Sequence, residues 1–208
     1  MIFFSKMRWN LKGMTFDQLW DLEGEEAKAA AKSIEEGIVT HLYKAVAEEY
    51  VMSIGGAPTA EDFDRYALGV LPMREHLVFE QVLTLQEGFS IDVFPYLSQR
   101  RREMADDPRF LYFVQFAWDP KQRQVDELWP GLCSAMQEEG PAKVLGLYRV
   151  AGQQKAMAIV DVRDAEALNQ LCLSPVLQSP SVETVWLLRD YLGFAEDVEK
   201  HYRFDDAP

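Results

Sequence analysis

The sequence predicts an α+β protein built from two tandem ferredoxin-like β-α-β-β-α-β repeats. Their antiparallel sheets are expected to pack face to face within one chain, as an intramolecular version of a dimeric α/β barrel. Three observations predict this. "EEGIVTHLYKAVAEEYVMSIGGAPTAEDF" (Glu35 to Phe63) and "EEGPAKVLGLYRVAGQQKAMAIVDVRDAEAL" (Glu138 to Leu168) share one order: acidic helix end, glycine, strand, polar turn, strand, capped helix. Each stretch is preceded by an aromatic-rich strand and a helix, and followed by a strand. Finally, a four-stranded sheet with helices on one face leaves its other face bare, and a second copy is the natural cover.

"MIFFSKMRWNL" alternates, with Phe3, Ser5, Met7, Trp9 and Leu11 on one side; that period of two reads as a strand. "LYFVQFAW" (Leu111 to Trp118) opens the second half in the same way. Thr15 and Gln18 suit a capping box, and the helix that follows ends at Gly37. Phe16, Trp20, Ala27, Ala30, Ala31 and Ile34 recur at helical spacing as its expected buried stripe. "QVDELWPGLCSAMQEEG" is its counterpart, with Val125, Leu128, Trp129, Leu132 and Met136 inward and Gly140 at the end; Pro130 either kinks this helix or starts its regular part.

Strands are expected at about 39–46 and 50–55 in the first half, and at 144–150 and 155–162 in the second. Capped helices begin at Thr59 and Asp164, and "HLVFEQVLTL" and "VETVWLLRDYL" close the two halves as strands. The expected division is residues 1–95 as the first repeat, 96–109 as a charged and partly helical linker, and 110–208 as the second repeat, ending in a helix over "FAEDVEKHYRF".

The totals narrow the function. Apolar residues make up 48% of the 208-residue chain, enough for a globular core. The net charge of −13 argues against nucleic acid and anionic membrane as partners. Cys133 and Cys172 sit in apolar settings and read as reduced, buried thiols. No apolar run approaches the ~18 residues of a membrane span, and "MIFFSKMRW" lacks the form of a signal peptide; a cytoplasmic protein is the expectation. There is no phosphate-binding glycine loop and no nucleophile elbow. His41, His76 and His201 are isolated and give no metal-ligand spacing. No metal and no cofactor are expected.

"MIFFSKM", "EEGIVTHLYKAVA" and above all "LYRVAGQQKAMAIVDVRDAEAL" resemble the muconolactone isomerase family, small proteins of the dimeric α/β barrel class. The resemblance covers most of both halves, and the chain looks like two such subunits fused. It implies a cofactor-free isomerase of aromatic-compound catabolism that moves a double bond in an unsaturated, anionic lactone. That chemistry needs one base in a dry pocket and a donor for the developing enolate oxygen.

Two glutamates compete for the base. Counting back from Gly37, the family's helical glutamate falls on Glu26. Helical periodicity instead places Glu23 in the middle of the apolar stripe and Glu26 at its edge; a buried acid has a raised pKa and can act near neutrality. The family also places a histidine at His41, which could shuttle the proton. The second half has Trp129 and Gly146 at the positions of Glu26 and His41, so any chemistry is expected in the first half. The resemblance makes Lys6 and Arg149 candidate clamps for a substrate carboxylate. Trp9, Tyr43, Tyr50 and Tyr148 are large amphipathic side chains suited to lining a cavity. The expected partner is a small molecule, bound by a monomeric pseudo-dimer or a homodimer.

Two alternatives stand beside the isomerase. One is a cofactor-independent monooxygenase of the related barrel families, expected to have a wholly aromatic cavity without a buried acid. The other is a non-catalytic barrel that binds a small ligand. Related barrels also hold haem through one histidine, and nothing in this sequence favours such a ligand.

Overall fold

The computed structural model describes residues 1–103, 107–122, 124–138, 140, 142–178 and 180–202. In chain order the elements are β1 (Ile2–Trp9), α1 (Phe16–Glu35), β2 (Val39–Ala45), β3 (Tyr50–Gly56), α2 (Ala60–Arg65), β4 (Leu77–Ser90) and α3 (Val93–Glu103). The second half follows with β5 (Phe110–Ala117), α4 (Val125–Ala135), β6 (Ala142–Val150), β7 (Lys155–Val162), α5 (Ala165–Cys172), β8 (Ser181–Asp190) and α6 (Tyr191–His201). Two compact units form: Met1–Leu83 together with the segment from Arg189 onward, and Thr84–Leu188. The C-terminal helix, grouped in the sequence with the second repeat, thus belongs to the first unit. Residues 104–106 of the expected linker lie outside the described residues.

In the first unit β3 is central, antiparallel to β1 from Ile2↔Gly56 to Arg8↔Tyr50 and to β2 from Lys44↔Val51 to Val39↔Gly55. Cross-strand partners share a face of the sheet. Ser5 opposite Ser53, and Met7 opposite Val51, therefore lie on one face together with Leu42 and Lys44. Trp9 has the same parity, and its ring meets Trp20 of α1 at 5.6 Å, which makes this the helix-covered face. Phe4, Lys6, His41, Tyr43, Met52 and Ile54 occupy the opposite face.

Thr15 caps α1 with both halves of the capping box present. The buried residues of α1 are Leu19, Glu23, Glu26, Ala30 and Ser33. The apolar stripe expected from the sequence is therefore rotated: Phe16 is exposed and stacks on the half-buried Trp20. The reason is α6, whose Phe194 packs on Trp9 and Trp20 and draws that side of α1 towards itself. The face of α1 over the sheet is left with two acids and a serine.

The second unit has the strand order β8-β5-β7-β6-β4, all antiparallel. Its helix-covered face holds Val114, Phe116, Leu147, Ala156 and Ala158 beneath Val125, Leu128 and Leu132 of α4; burying one such large side chain is worth roughly 1.5–3 kcal/mol. Pro130 lies inside α4, which continues through it. The carboxylate of Asp161, fully buried, accepts from Tyr96 at 2.6 Å and Arg100 at 3.0 Å and lies 3.4 Å from Arg109. These bonds tie α3 and the start of β5 to β7. Cys133 and Cys172 are free and only half-buried.

The repeat holds down to single pairs. His41↔Ile54 in the first unit matches Gly146↔Ile159 in the second, and Lys44↔Val51 matches Arg149↔Ala156. Both copies carry a bulge one residue before that point, between Val39 and His41 and between Val144 and Gly146. Trp9 donates its backbone N–H to Glu49, and Trp118 donates to Gln154, each at 3.0 Å. By the same register, Ser5↔Ser53 becomes Val114↔Ala158.

Candidate functional site

A cavity of about 60 Å³ (the space open to the centre of a water-sized sphere) lies within the first unit, between the helix-covered face of its sheet and α1. One water needs ~10–15 Å³ by this measure, so several waters or a small organic molecule fit. Ser5, Met7, Trp9, Val51 and Ser53 form its floor, and Glu23, Glu26 and Ala30 descend from α1. Phe63, Tyr66, Ala67, Leu71 and Met73 close one side from α2 and the turns after it; Tyr191 enters from the first residue of α6. The expectation of a space between the two sheets is not what positions this site: every lining residue belongs to the first unit.

Glu23 is fully buried. Neither carboxylate oxygen makes a well-formed hydrogen bond among the described residues. Burial pushes its pKa up to about 7; Glu26 adds to the rise, while the nearby Tyr191 hydroxyl and Lys44 favour the charged form. Glu26 behaves differently. Its Oε2 accepts the Met73 N–H at 2.9 Å, and its pKa is raised by burial against the pull of that bond. Glu26 therefore fastens the segment after α2 to α1, while Glu23 faces the Tyr191 hydroxyl.

Lys44 lies on the same sheet face, 4.8 Å from the Trp9 ring centre. Its ammonium donates to Ala45 O at 2.6 Å and to Glu48 O. Burial lowers its pKa to about 8, with Glu23 and Glu48 opposing. The Tyr191 hydroxyl has its pKa raised well above the usual value by burial and by Glu23, so it is a neutral O–H. Tyr66 donates to Ser33 Oγ at 3.0 Å. The Trp9 indole N–H is buried without a hydrogen-bond partner among the described residues.

Of the residues singled out from the sequence, Glu23, Glu26 and Trp9 meet in this cavity. His41 does not join them. It sits on the opposite face of the sheet, with Nδ1 2.9 Å from the Tyr43 hydroxyl, and burial lowers its pKa to about 4. Lys6 shares that face, 3.0 Å from Glu80 and 3.6 Å from the Tyr50 ring centre. Tyr148 and Arg149 belong to the second unit, where Arg149 pairs with Asp126 of α4. Tyr191, Tyr66, Ser5 and Ser53 were not foreseen. The serines were legible: they are the polar residues on the inward parity of two strands whose second copies read Val114 and Ala158.

Among the described residues no cluster of three or more metal-ligating side chains occurs, and no helix is long and apolar enough to cross a membrane. No histidine lines the cavity, so it offers no imidazole to hold a haem iron.

No family model and no curated protein matches the chain. Solved structures do. A candidate monooxygenase from Lactobacillus acidophilus NCFM is 10% identical, covers 91% of this chain and 94% of its own, and superposes with a TM-score of 0.51. A chlorite dismutase variant from Candidatus Nitrospira defluvii is 12% identical over 96% of this chain and 95% of its own, with a TM-score of 0.57. A further candidate chlorite dismutase is 13% identical over 94% and 98%, with a TM-score of 0.50. At such identities the likeness concerns the fold: an α+β, tandem ferredoxin-like chain of the dimeric α/β barrel class.

Proposed function

We propose that this chain is a cofactor-free, cytoplasmic proton-transfer enzyme that isomerises a small unsaturated carbonyl compound, with Glu23 as the base. One observation carries the reading: a fully buried carboxyl group, its oxygens without well-formed hydrogen bonds, lines an apolar cavity and ionises near neutrality. A base whose pKa lies near the working pH combines the right protonation state with driving force for proton transfer. Glu23 removes a proton from the carbon beside the carbonyl. The electron pair moves into the enolate, whose oxygen accepts a hydrogen bond from a neutral O–H such as that of Tyr191. The carboxylic acid then returns the proton at the far carbon of the extended enolate, so the double bond shifts and no atom is lost. The resemblance to muconolactone isomerase supports this reaction type.

A monooxygenase is the second reading, favoured by the fold likeness to the Lactobacillus acidophilus protein. A barrel oxygenase of that kind calls for an aromatic cavity without an acid, and two buried glutamates weigh against it. The test is exchange of the α-protons of unsubstituted butenolide, in its β,γ-unsaturated form, into deuterated buffer, followed by proton NMR. Exchange above the buffer rate that Glu23→Gln lowers at least ~100-fold supports the assignment. Exchange at the buffer rate with the parent protein overturns it.

A further inference from the structure

We infer that the substrate is uncharged, and that the Trp9 indole N–H holds its carbonyl oxygen; this rests on the proton-transfer reading of the same cavity. The resemblance implies an anionic lactone, and the lining residues oppose it. None of them is lysine, arginine or histidine, and two are buried glutamates. A substrate carboxylate would enter without a counter-ion and beside groups of its own sign, whereas buried charges elsewhere in proteins are paired. The cations proposed as its clamps are placed elsewhere: Lys6 on the opposite face of the sheet beside Glu80, and Arg149 in the other unit beside Asp126. Lys44 shares the sheet face of the cavity but does not line it, and its ammonium is bonded to two backbone carbonyls.

The unmet hydrogen-bonding capacity of the cavity has the complementary form. Trp9 offers one buried donor without a hydrogen-bond partner among the described residues, and Glu23 offers buried acceptors that only the Tyr191 hydroxyl approaches. A buried polar group without a partner costs ~1–3 kcal/mol, so such groups call for an occupant. A neutral carbonyl compound with an acidic C–H satisfies both: its oxygen takes the N–H and its proton faces the carboxylate. Four hydroxyls (Ser5, Ser53, Tyr66 and Tyr191) add neutral polarity without net charge. The second unit replaces the Ser5–Ser53 pair by Val114 and Ala158 and closes the equivalent face with apolar side chains. The polar set is thus separable from the scaffold.

The experiment compares two forms of one substituted butenolide, the carboxamide and the carboxylate, in the same deuterium-exchange assay on the intact chain, with unsubstituted butenolide as reference. The inference expects kcat/KM for the carboxamide at least ~100-fold above the carboxylate. It also expects Trp9→Phe, which keeps an aromatic ring and loses the N–H, to raise KM for unsubstituted butenolide roughly 5–10-fold with the Glu23-dependent pH profile unchanged. A carboxylate that performs as well as the carboxamide overturns the uncharged substrate while the reference still exchanges. An unchanged KM in Trp9→Phe overturns the anchoring role. If the reference itself stays inert, the proton-transfer reading falls and the inference falls with it.

Discussion

Replacing Glu23 by glutamine keeps the shape of the side chain and removes its titration. In the folded protein Glu23 ionises at about 7, against 4.5 for an ordinary glutamate. The sign follows from which state holds the proton. Below 4.5 both states are protonated; between 4.5 and 7 only the folded state is; above 7 both are ionised, and the folded state carries a buried charge. Glu23 therefore contributes most at low pH, and its contribution is lost as pH rises towards 7. At 1.36 kcal/mol per unit the whole loss is about 3 kcal/mol. About 2 kcal/mol of it falls between pH 5.5 and 8, clear of the isoelectric point near 4.7. Lys44, shifted from 10.5 to about 8 and held up in part by Glu23, titrates only towards the top of this window; losing Glu23 lowers it further, which adds to the variant's gain there. The assay is urea unfolding of parent and Glu23→Gln across that range. The variant should gain about 2 kcal/mol on the parent from pH 5.5 to 8. A difference that stays constant with pH refutes the reasoning.

Other predictions concern the surroundings. Glu26→Ala should speed exchange of the Met73 amide roughly 10-fold, because it deletes the acceptor that holds this segment; hydrogen-exchange mass spectrometry of the peptide containing Met73 reads it, and Glu26→Gln should be milder. Asp161→Ala leaves Arg100 and Arg109 facing a vacated buried site and should cost ~3–5 kcal/mol in chemical denaturation; a loss under ~1 kcal/mol contradicts the tie between α3 and β7. Gly55→Ala should cost ~1–3 kcal/mol by thermal unfolding, since its new methyl would lie 2.4 Å from the backbone oxygen of Ile38.

The fold was legible because the chain writes its pattern twice. The turn glycines, the capping residues and the alternation of β1 and β5 each agree between copies, down to a bulge that the sequence does not announce. Glu23 was legible from helical period alone, although the stripe used to place it was rotated. What rotated it is α6, which lies outside the repeat and packs on α1 through Phe194. For the same reason Tyr191 was invisible: it reaches Glu23 across most of the chain length, and no local pattern connects them. His41 was grouped with the acids by resemblance, yet strand alternation already separates it from Leu42 and Lys44, which face α1. The Trp9 N–H could not be foreseen, because a missing partner is a property of packing.

The claim on which the rest depends is that one glutamate keeps its proton to near neutral pH inside the first unit. Carbon-13 NMR of side-chain-labelled glutamate, followed from pH 5.5 to 8.5, measures it directly. The account predicts one carboxyl resonance that titrates near 7 and is absent from Glu23→Gln. A spectrum in which the Glu23 resonance is already fully ionised at pH 5.5 would contradict it.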